Sequence, residues 1–365
     1  MVPGAALGAV RAEAYRIPTD APEADGTFAW TATTMVVVEA EAGGQTRLGY
    51  TYSDAGAAGV AAGALAEAVR GRDASDTPAC WAAMQRAVRN MGRSGIAATA
   101  VSAVDAALWD LKAKLLGLPL ATLLGRSREA VPIYGSGGFT TYSDGQMRDQ
   151  LQGWAQRDGC RAVKIKVGTH PEQDPHRVDA ARRAVGDGVE LFVDANGALA
   201  AKTAIAFARA CAGQGVTWFE EPVSSDDLPG LRAVRGHVPA PMDVAAGEYA
   251  FTLDDVRAML AAEAVDVMQA DASRCGGFTG FLRAAALCEA FHAPLSGHCA
   301  PALHLHAACA APGLRHLEWF HDHVRIERML FDGAPAPRDG EICPDLSRPG
   351  LGLEFKRADA AAYRI

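Results

Sequence analysis

From about residue 10 to residue 49 the chain reads as strands, most clearly in Thr34-Met35-Val36-Val37-Val38-Glu39 ahead of the Gly43-Gly44 turn. β-branched residues in short runs bounded by turn signals predict an antiparallel sheet. Within this stretch residues 18–31 carry Pro18, Pro22, Gly26 and several acids, which is the chemistry of a surface loop. Residues 57–124 turn Ala-rich with apolar positions at helical spacing, ending in Ala103-Val104-Asp105-Ala106-Ala107-Leu108-Trp109-Asp110-Leu111-Lys112 before Gly117 and Pro119. A sheet followed by helices predicts an α+β domain over residues 1–125.

After Gly125 the pattern changes to short apolar runs, each ending on a polar residue and each followed by a helical stretch. The runs begin with Val131-Pro132-Ile133-Tyr134, Ala162-Val163-Lys164-Ile165-Lys166-Val167, Leu191-Phe192-Val193-Asp194 and Thr217-Trp218-Phe219-Glu220. They continue with Met242 to Glu248, Val265 to Asp271, Pro294 to His298 and His316-Leu317-Glu318-Trp319. A spacing of roughly 20 to 30 residues is the length of one strand–loop–helix unit. Eight such units predict an α/β fold, a (β/α)₈ TIM-type barrel over residues 126–330 with the N-terminal α+β domain as its cap. Residues 331–365, rich in Pro and Gly, are expected to pack back onto that capping domain.

With 49% hydrophobic and 21% charged residues in 365, the chain has the makeup of a globular protein able to build a sizeable core. Its formal charge of −8 is spread without long runs of one sign, which points away from nucleic acid and towards a small-molecule partner. No apolar stretch is long enough to predict a membrane span, and the first residues lack the basic segment of a signal peptide. The eight cysteines form no C-x-x-C pair, so buried reduced thiols in a cytoplasmic protein are expected. A homo-oligomer is expected as well.

Chemistry enters with the second run. In Val163-Lys164-Ile165-Lys166-Val167 both lysines fall on one face of a strand and the three β-branched residues on the other. A barrel would place two ammonium groups inside; an exposed edge strand would place them in water. Asp194, Glu220 and Glu248 end the next three runs, 26 and 28 residues apart. Strand ends converge at the C-terminal mouth of a barrel, where unpaired carboxylates would repel each other. Pairing with Arg or Lys could relieve one such site, whereas three in register suit a hard divalent cation such as Mg²⁺. Asp271 and His298 end the sixth and seventh runs and form a candidate carboxylate–imidazole pair for acid/base work. Glu318 ends the eighth.

In order, these residues resemble the enolase superfamily, and within it the mandelate racemase subgroup of the mandelate racemase/muconate lactonizing enzyme family. The resemblance runs over nearly the whole chain. It rests on the K-x-K of Lys164 and Lys166, the V-D-A-N of Val193 to Asn196 and the W-F-E-E-P of Trp218 to Pro222. Gly247-Glu248 and the D-x-x-R-x-G-G of Asp271 to Gly277 complete it. It implies Asp194, Glu220 and Glu248 as ligands of Mg²⁺, with Mn²⁺ as a substitute. It implies Lys166 as one base, His298 assisted by Asp271 as the other, and Lys164 and Glu318 as stabilisers. Arg274 stands where the subgroup often has Lys. Asp271 stands where relatives that isomerise dipeptides or make succinylbenzoate-like products carry Lys.

The implied reaction is removal of the proton α to a carboxylate with stabilisation of the enediolate, and the expected form is dehydration of an aldonate-like sugar acid to a 2-keto-3-deoxy acid. A racemase or epimerase of a 2-hydroxy acid and a cycloisomerase would use the same barrel residues. A Schiff-base aldolase or a non-catalytic ligand-binding barrel are the readings of another class. Asn196, Ser136, Phe28, Trp30, Tyr50, Tyr52 and His321 are the candidate substrate contacts. The acids of residues 18–31, with Tyr50, Thr51, Tyr52 and Ser53, offer hydrogen bonds to a polyol, and neither segment has the Arg or Lys that a second substrate carboxylate would want.

Overall fold

The computed structural model describes residues 4–365. Three long antiparallel strands, β1 (Leu7–Ala24), β2 (Ala29–Ala42) and β3 (Gln45–Tyr52), pair in that order and carry the long helix Ile96–Leu115 on one face. The helix comes close enough to β3 that a Cβ at Gly49 would lie 2.2 Å from the Ala103 carbonyl, so glycine is what the contact requires. Residues 18–31 depart from the expected loop. β1 runs through to Ala24, and the disturbance predicted by its prolines appears as a slip in register between Pro18 and Glu23. Proline cannot donate to a ladder, so the irregularity falls where Pro18 and Pro22 sit while the hairpin itself survives. Asp25 closes the hairpin by accepting from the backbone N–H groups of Thr27 and Phe28.

Eight parallel strands then close on themselves: β4 (Val131–Gly137), β5 (Ala162–Lys166), β6 (Glu190–Asp194), β7 (Val216–Glu220), β8 (Asp243–Ala246), β9 (Val267–Ala270), β10 (Leu295–Gly297) and β11 (Leu314–Phe320), with β11 paired to β4. Each coincides with a predicted run. The barrel's lower interior is filled by Tyr134, Ala162, Phe192, Trp218, Ala245 and Val267, a floor of mostly aromatic and branched side chains. A step of two residues up each strand brings Ser136, Lys164 and Glu220 onto the same inner side. The last residues return across both units. Leu351 N–H donates to Asp110 of the capping helix, Arg364 pairs with Glu13, and Glu341–Ile342 pairs with β4. No helix among the described residues is long and apolar enough to cross a membrane. All eight cysteines are free; seven are buried and Cys343 is exposed, against the expectation of uniformly buried thiols.

The cap is locked to the barrel by buried polar groups. Asp105 in the helix Ile96–Leu115 accepts from the backbone and hydroxyl of Thr279 at 2.9 and 2.7 Å, and Trp109 donates to the same hydroxyl. Burial pushes the Asp105 carboxyl up to about 7, against the Thr279 bonds that pull it down. The unfolded chain releases that proton near pH 4, so between roughly pH 4 and 7 the folded state holds a proton the unfolded state has lost. The contribution of this site to stability therefore falls as pH rises through that window and is level above it. Asp105→Asn should flatten part of the decline in melting temperature between about pH 4.5 and 7; an unchanged slope in differential scanning calorimetry would remove Asp105 as its source.

Candidate active site

The site is built at the C-terminal ends of the barrel strands. Alternation along β5 sends Val163 and Ile165 into the shell between barrel and helices, so Lys164 and Lys166 enter the interior, 0% and 5% exposed. Lys164 Nζ lies 2.5 Å from Glu220 Oε1, 2.8 Å from Glu318 Oε1 and 3.3 Å from Asp194 Oδ2. Lys166 Nζ donates to Asp194 Oδ2 at 2.6 Å. Burial opposes the charge on Lys166 and Lys164 pulls the same way, yet Asp194, Glu318 and Glu220 together hold the ammonium above its ordinary range. Lys164 therefore does not by itself make Lys166 a neutral amine, contrary to what the pairing of two ammonium groups alone suggests.

Asp194, Glu220 and Glu248 each bring a carboxylate oxygen to within 4.8 Å of the others. The donors around them do not saturate the set. Trp218 Nε1 donates to Glu220 Oε2 at 2.9 Å, but Glu248 Oε2 and the neighbouring Glu221 Oε1 are buried with no partner. Burial and then the charge of Asp194 push Glu220 up to about 8, and burial and then Glu248 push Glu221 well above the usual carboxylate range. Three buried, all-oxygen ligands with an unpartnered oxygen among them fit a hard divalent ion better than zinc, which favours sites with N and S donors.

On the other side His298 Nδ1 lies 2.8 Å from Asp271 Oδ2, while His298 Nε2 is 3.5 Å from Glu248 Oε2. Burial lowers the basicity of His298, but Glu248 and the Asp271 bond raise it further, and its pKa lies above the ordinary value. Asp271 is itself fixed by the Ser273 N–H at 2.7 Å and flanked by Arg274, which forks towards Glu248 and stacks on Tyr249. The backbone is left-handed at Asn196 (φ 46°), Glu221 (φ 37°), Cys299 (φ 50°) and Ala300 (φ 39°), just past Asp194, Glu220 and His298. Such strain persists only where surrounding contacts over-determine it, and it gathers here at the ligand-bearing turns.

The roof is the β1–β2 hairpin. A Cβ at Gly26 would meet the Ala195 carbonyl at 2.3 Å and that of Val167 at 2.6 Å, so the turn lies directly on the ends of β5 and β6. Thr140 and Thr169 hydroxyls both donate to the Asp25 carbonyl, at 3.1 and 2.6 Å. Under this roof the candidate contacts separate. Ser136 donates to Glu318 at 2.6 Å, and Asn196 keeps its side-chain oxygen buried without a partner. Phe28 is 68% exposed at the hairpin tip, stacked on the half-buried Trp30, which donates to Glu23. Tyr50 is spent on Glu327, Tyr52 stacks on His323 at 3.5 Å, and Thr51 donates to the Ser273 carbonyl. His321 pairs with Asp20 at 3.0 Å, latching hairpin to barrel. The expected row of free polar groups on the roof thus reduces to Glu23, whose Oε1 is buried and unpartnered and whose carboxyl burial pushes up to about 8. His304 and His306 are bound to backbone on both ring nitrogens. Sequence reasoning passed over Cys299, whose thiol lies 3.3 Å from His298 Nε2; its place directly after the strand-end histidine was the available signal.

Fold and ring together define the class, a (β/α)₈-barrel enzyme roofed by an α+β domain. Residues 16–125 match the family model described as mandelate racemase / muconate lactonizing enzyme, N-terminal domain, and residues 146–360 match the enolase C-terminal domain-like model. The chain belongs to the mandelate racemase/muconate lactonizing enzyme family of the enolase superfamily. It is 35% identical over 295 residues to the L-talarate/galactarate dehydratase of Salmonella typhimurium, covering 78% of this chain and 73% of that one. A crystal structure of that dehydratase with Mg and L-lyxarohydroxamate matches with a TM-score of 0.89 at 28% identity, over 99% and 93% of the two chains. A 3,6-anhydro-alpha-L-galactonate cycloisomerase of Streptomyces coelicolor is 34% identical over 362 residues, 95% of this chain and 97% of its own. A mandelate racemase/muconate lactonizing enzyme-like protein from Rubrobacter xylanophilus superposes with a TM-score of 0.96 at 52% identity, over 99% and 100%.

A hard divalent cation at about 100 times its dissociation constant should add about 2.7 kcal/mol to the stability of the folded protein. The melting temperature should rise accordingly, and Glu248→Gln or Asp194→Asn should abolish most of the rise. A rise of equal size in both variants would place the cation elsewhere.

Proposed function

We propose that this enzyme removes the proton α to the carboxylate of a sugar acid and expels a hydroxyl from the neighbouring carbon, giving a 2-keto-3-deoxy acid. The observation that carries the reading is the placing of two basic nitrogens at opposite ends of one carboxylate cluster. Lys166 is tied to Asp194 and the His298 imidazole stands beside Glu248. Asp194, Glu220 and Glu248 would hold Mg²⁺, as the magnesium in the Salmonella relative's structure supports. When bound, the ion would supply the positive charge that an α-carbanion beside a carboxylate needs.

The chain's own residues divide the remaining work. Lys164, fixed between Glu220 and Glu318, adds a fixed positive charge on the same side. Lys166 can act as a base only as the free amine, a state that burial and Lys164 favour once Asp194 no longer spends its charge on it. Asp271 keeps the proton on His298 Nδ1, leaving Nε2 as the atom that takes or gives a proton. In its charged form that imidazole can donate to the departing hydroxyl. Glu23 and Asn196 keep buried oxygens free, which suits hydroxyl-bearing substrates; an apolar substrate would leave each unpaired at a cost of about 1–3 kcal/mol. Arg274 is engaged by Glu248 and Asp271, and Arg325 by Asp322 and the Pro18 carbonyl, so a monoacid is favoured over a diacid. The cycloisomerase relative, which spans nearly the whole chain, supports a second reading in which the same proton transfer opens a ring.

The test incubates the enzyme and Mg²⁺ with aldonates, aldarates and their anhydro or lactone forms in deuterated water. A 2-keto-3-deoxy product is expected from at least one aldonate, and inversion or ring opening without any keto acid would replace dehydration by the second reading. Lys166→Ala and His298→Asn should each lower turnover by about 10²-fold or more, and each should abolish deuterium exchange on its own face of C2. Loss of exchange on both faces in both variants would overturn the two-base assignment.

A further inference from the structure

We propose that His298, Cys299 and Glu318 form a second metal site, selective for Zn²⁺ and other thiophilic divalent cations, whose occupation shuts the enzyme. Cys299 Sγ lies 3.3 Å from His298 Nε2 and 3.3 Å from Glu318 Oε2, and those two atoms are 3.7 Å apart. Tetrahedral zinc with bonds of about 2.0–2.3 Å separates its ligand atoms by about 3.3–3.6 Å. Closing the triangle on an ion therefore asks for shifts of a few tenths of an ångström.

The three ligands are also turned the right way. Asp271 accepts from the Nδ1–H of His298, so the Nε2 lone pair faces the thiol; a carboxylate behind a ligating imidazole is the support that zinc sites commonly use. Glu318 divides its oxygens: Oε1 serves Lys164 and Ser136, while Oε2 accepts only from Cys299, through its N–H at 3.0 Å and its thiol. The left-handed backbone at Cys299 and Ala300 is pinned at both ends, by that N–H and by the Ala300 N–H on His323 Nδ1 at 3.2 Å. All three side chains are at least nine-tenths buried, and the unpartnered Glu248 Oε2 stands 3.5 Å from Nε2 at the edge of the triangle.

Ligand type separates the two sites. Oxygen-only Asp194, Glu220 and Glu248 suit Mg²⁺, whereas a thiolate, an imidazole and one carboxylate select Zn²⁺, Cd²⁺ or Co²⁺. On binding, the thiol S–H bond breaks, the S–metal bond forms and the proton leaves to water. The ion would then occupy the Nε2 lone pair. Binding itself does not depend on the proposed reaction; only the inhibition does, because it rests on His298 as a base.

The Mg²⁺-saturated enzyme is titrated with Cd²⁺ and with Co²⁺ in a Cys343→Ser background, which removes the one exposed thiol. One equivalent should give the ultraviolet thiolate-to-Cd²⁺ charge-transfer band and the intense visible bands of tetrahedral Co²⁺. Cys299→Ser, or Cys299→Ala should the serine protein not fold, should lose both while keeping the Mg²⁺-induced rise in melting temperature. Zn²⁺ should inhibit turnover, chelation followed by Mg²⁺ should restore it, and the inhibition constant should rise by at least about tenfold in the Cys299 variants. Absence of the charge-transfer bands, or bands that persist without Cys299, would overturn the site. Bands without inhibition would keep the site and overturn the part given to His298.

Discussion

Everything at the barrel mouth answers to an excess of buried negative charge. Asp194, Glu220, Glu221, Glu248, Asp271 and Glu318 are all 4% exposed or less, and the cations among them are Lys164, Lys166, Arg274 and, when protonated, His298. Six carboxylates against four cations leave two charges uncompensated in a place where water cannot screen them. Burial and the neighbouring carboxylates push Glu220 and Glu221 towards the protonated form, while ion pairs with the lysines hold Glu318 and Asp194 ionised despite burial. A divalent cation held by Asp194, Glu220 and Glu248 would supply the missing charge in one step. The same excess explains why the lysines are doubled: one ammonium bridging Glu220 and Glu318 leaves a second free to face Asp194.

So concentrated a charge needs a rigid frame, and the frame is the aromatic floor. Tyr134, Phe192 and Trp218 fill the barrel under the ring, with Phe192 and Trp218 stacked at 5.2 Å and the Tyr134 ring 5.4 Å from Lys164 Nζ. Trp218 also turns its N–H up to Glu220. Above, the ligand-bearing turns adopt left-handed backbone at non-glycine residues, a cost of order 1–3 kcal/mol each that only a well-packed surround sustains. The strain is placed at the residues that follow the ligands, where it aims side chains inward instead of letting the chain relax into its helix.

Period and order made the barrel legible in the sequence: several of the runs close on or beside a titratable residue, so Asp194, Glu220, Asp271, His298 and Glu318 read as one candidate ring. The roof was harder to read. Pro18 and Pro22 have the local chemistry of a loop, but pairing with β2, a tertiary interaction, carries the strand past them to Ala24, and only residues 25–28 turn. Tyr50 and Tyr52 looked like free polar tips because a sequence cannot show that Glu327 and His323, nearly 280 residues on, lie beneath them. For Cys299 only its adjacency to His298 is legible in the sequence, since its meaning depends on a left-handed turn that carries its thiol back towards His298 and Glu318.

The roof is fastened to this ring at several points. The hairpin reaches the barrel through a glycine that only just clears two carbonyls, through threonine hydroxyls on the Asp25 carbonyl, and through the Asp20–His321 pair. Almost all polar groups of the hairpin are consumed in this fastening, which leaves Glu23 as the one acid of the roof with a buried oxygen free. A carboxyl pushed up to about 8 stays protonated at neutral pH and can donate as well as accept. It is mounted on β1, a strand of the cap, so the acids of the ring and the free acid of the roof belong to separate units of the fold.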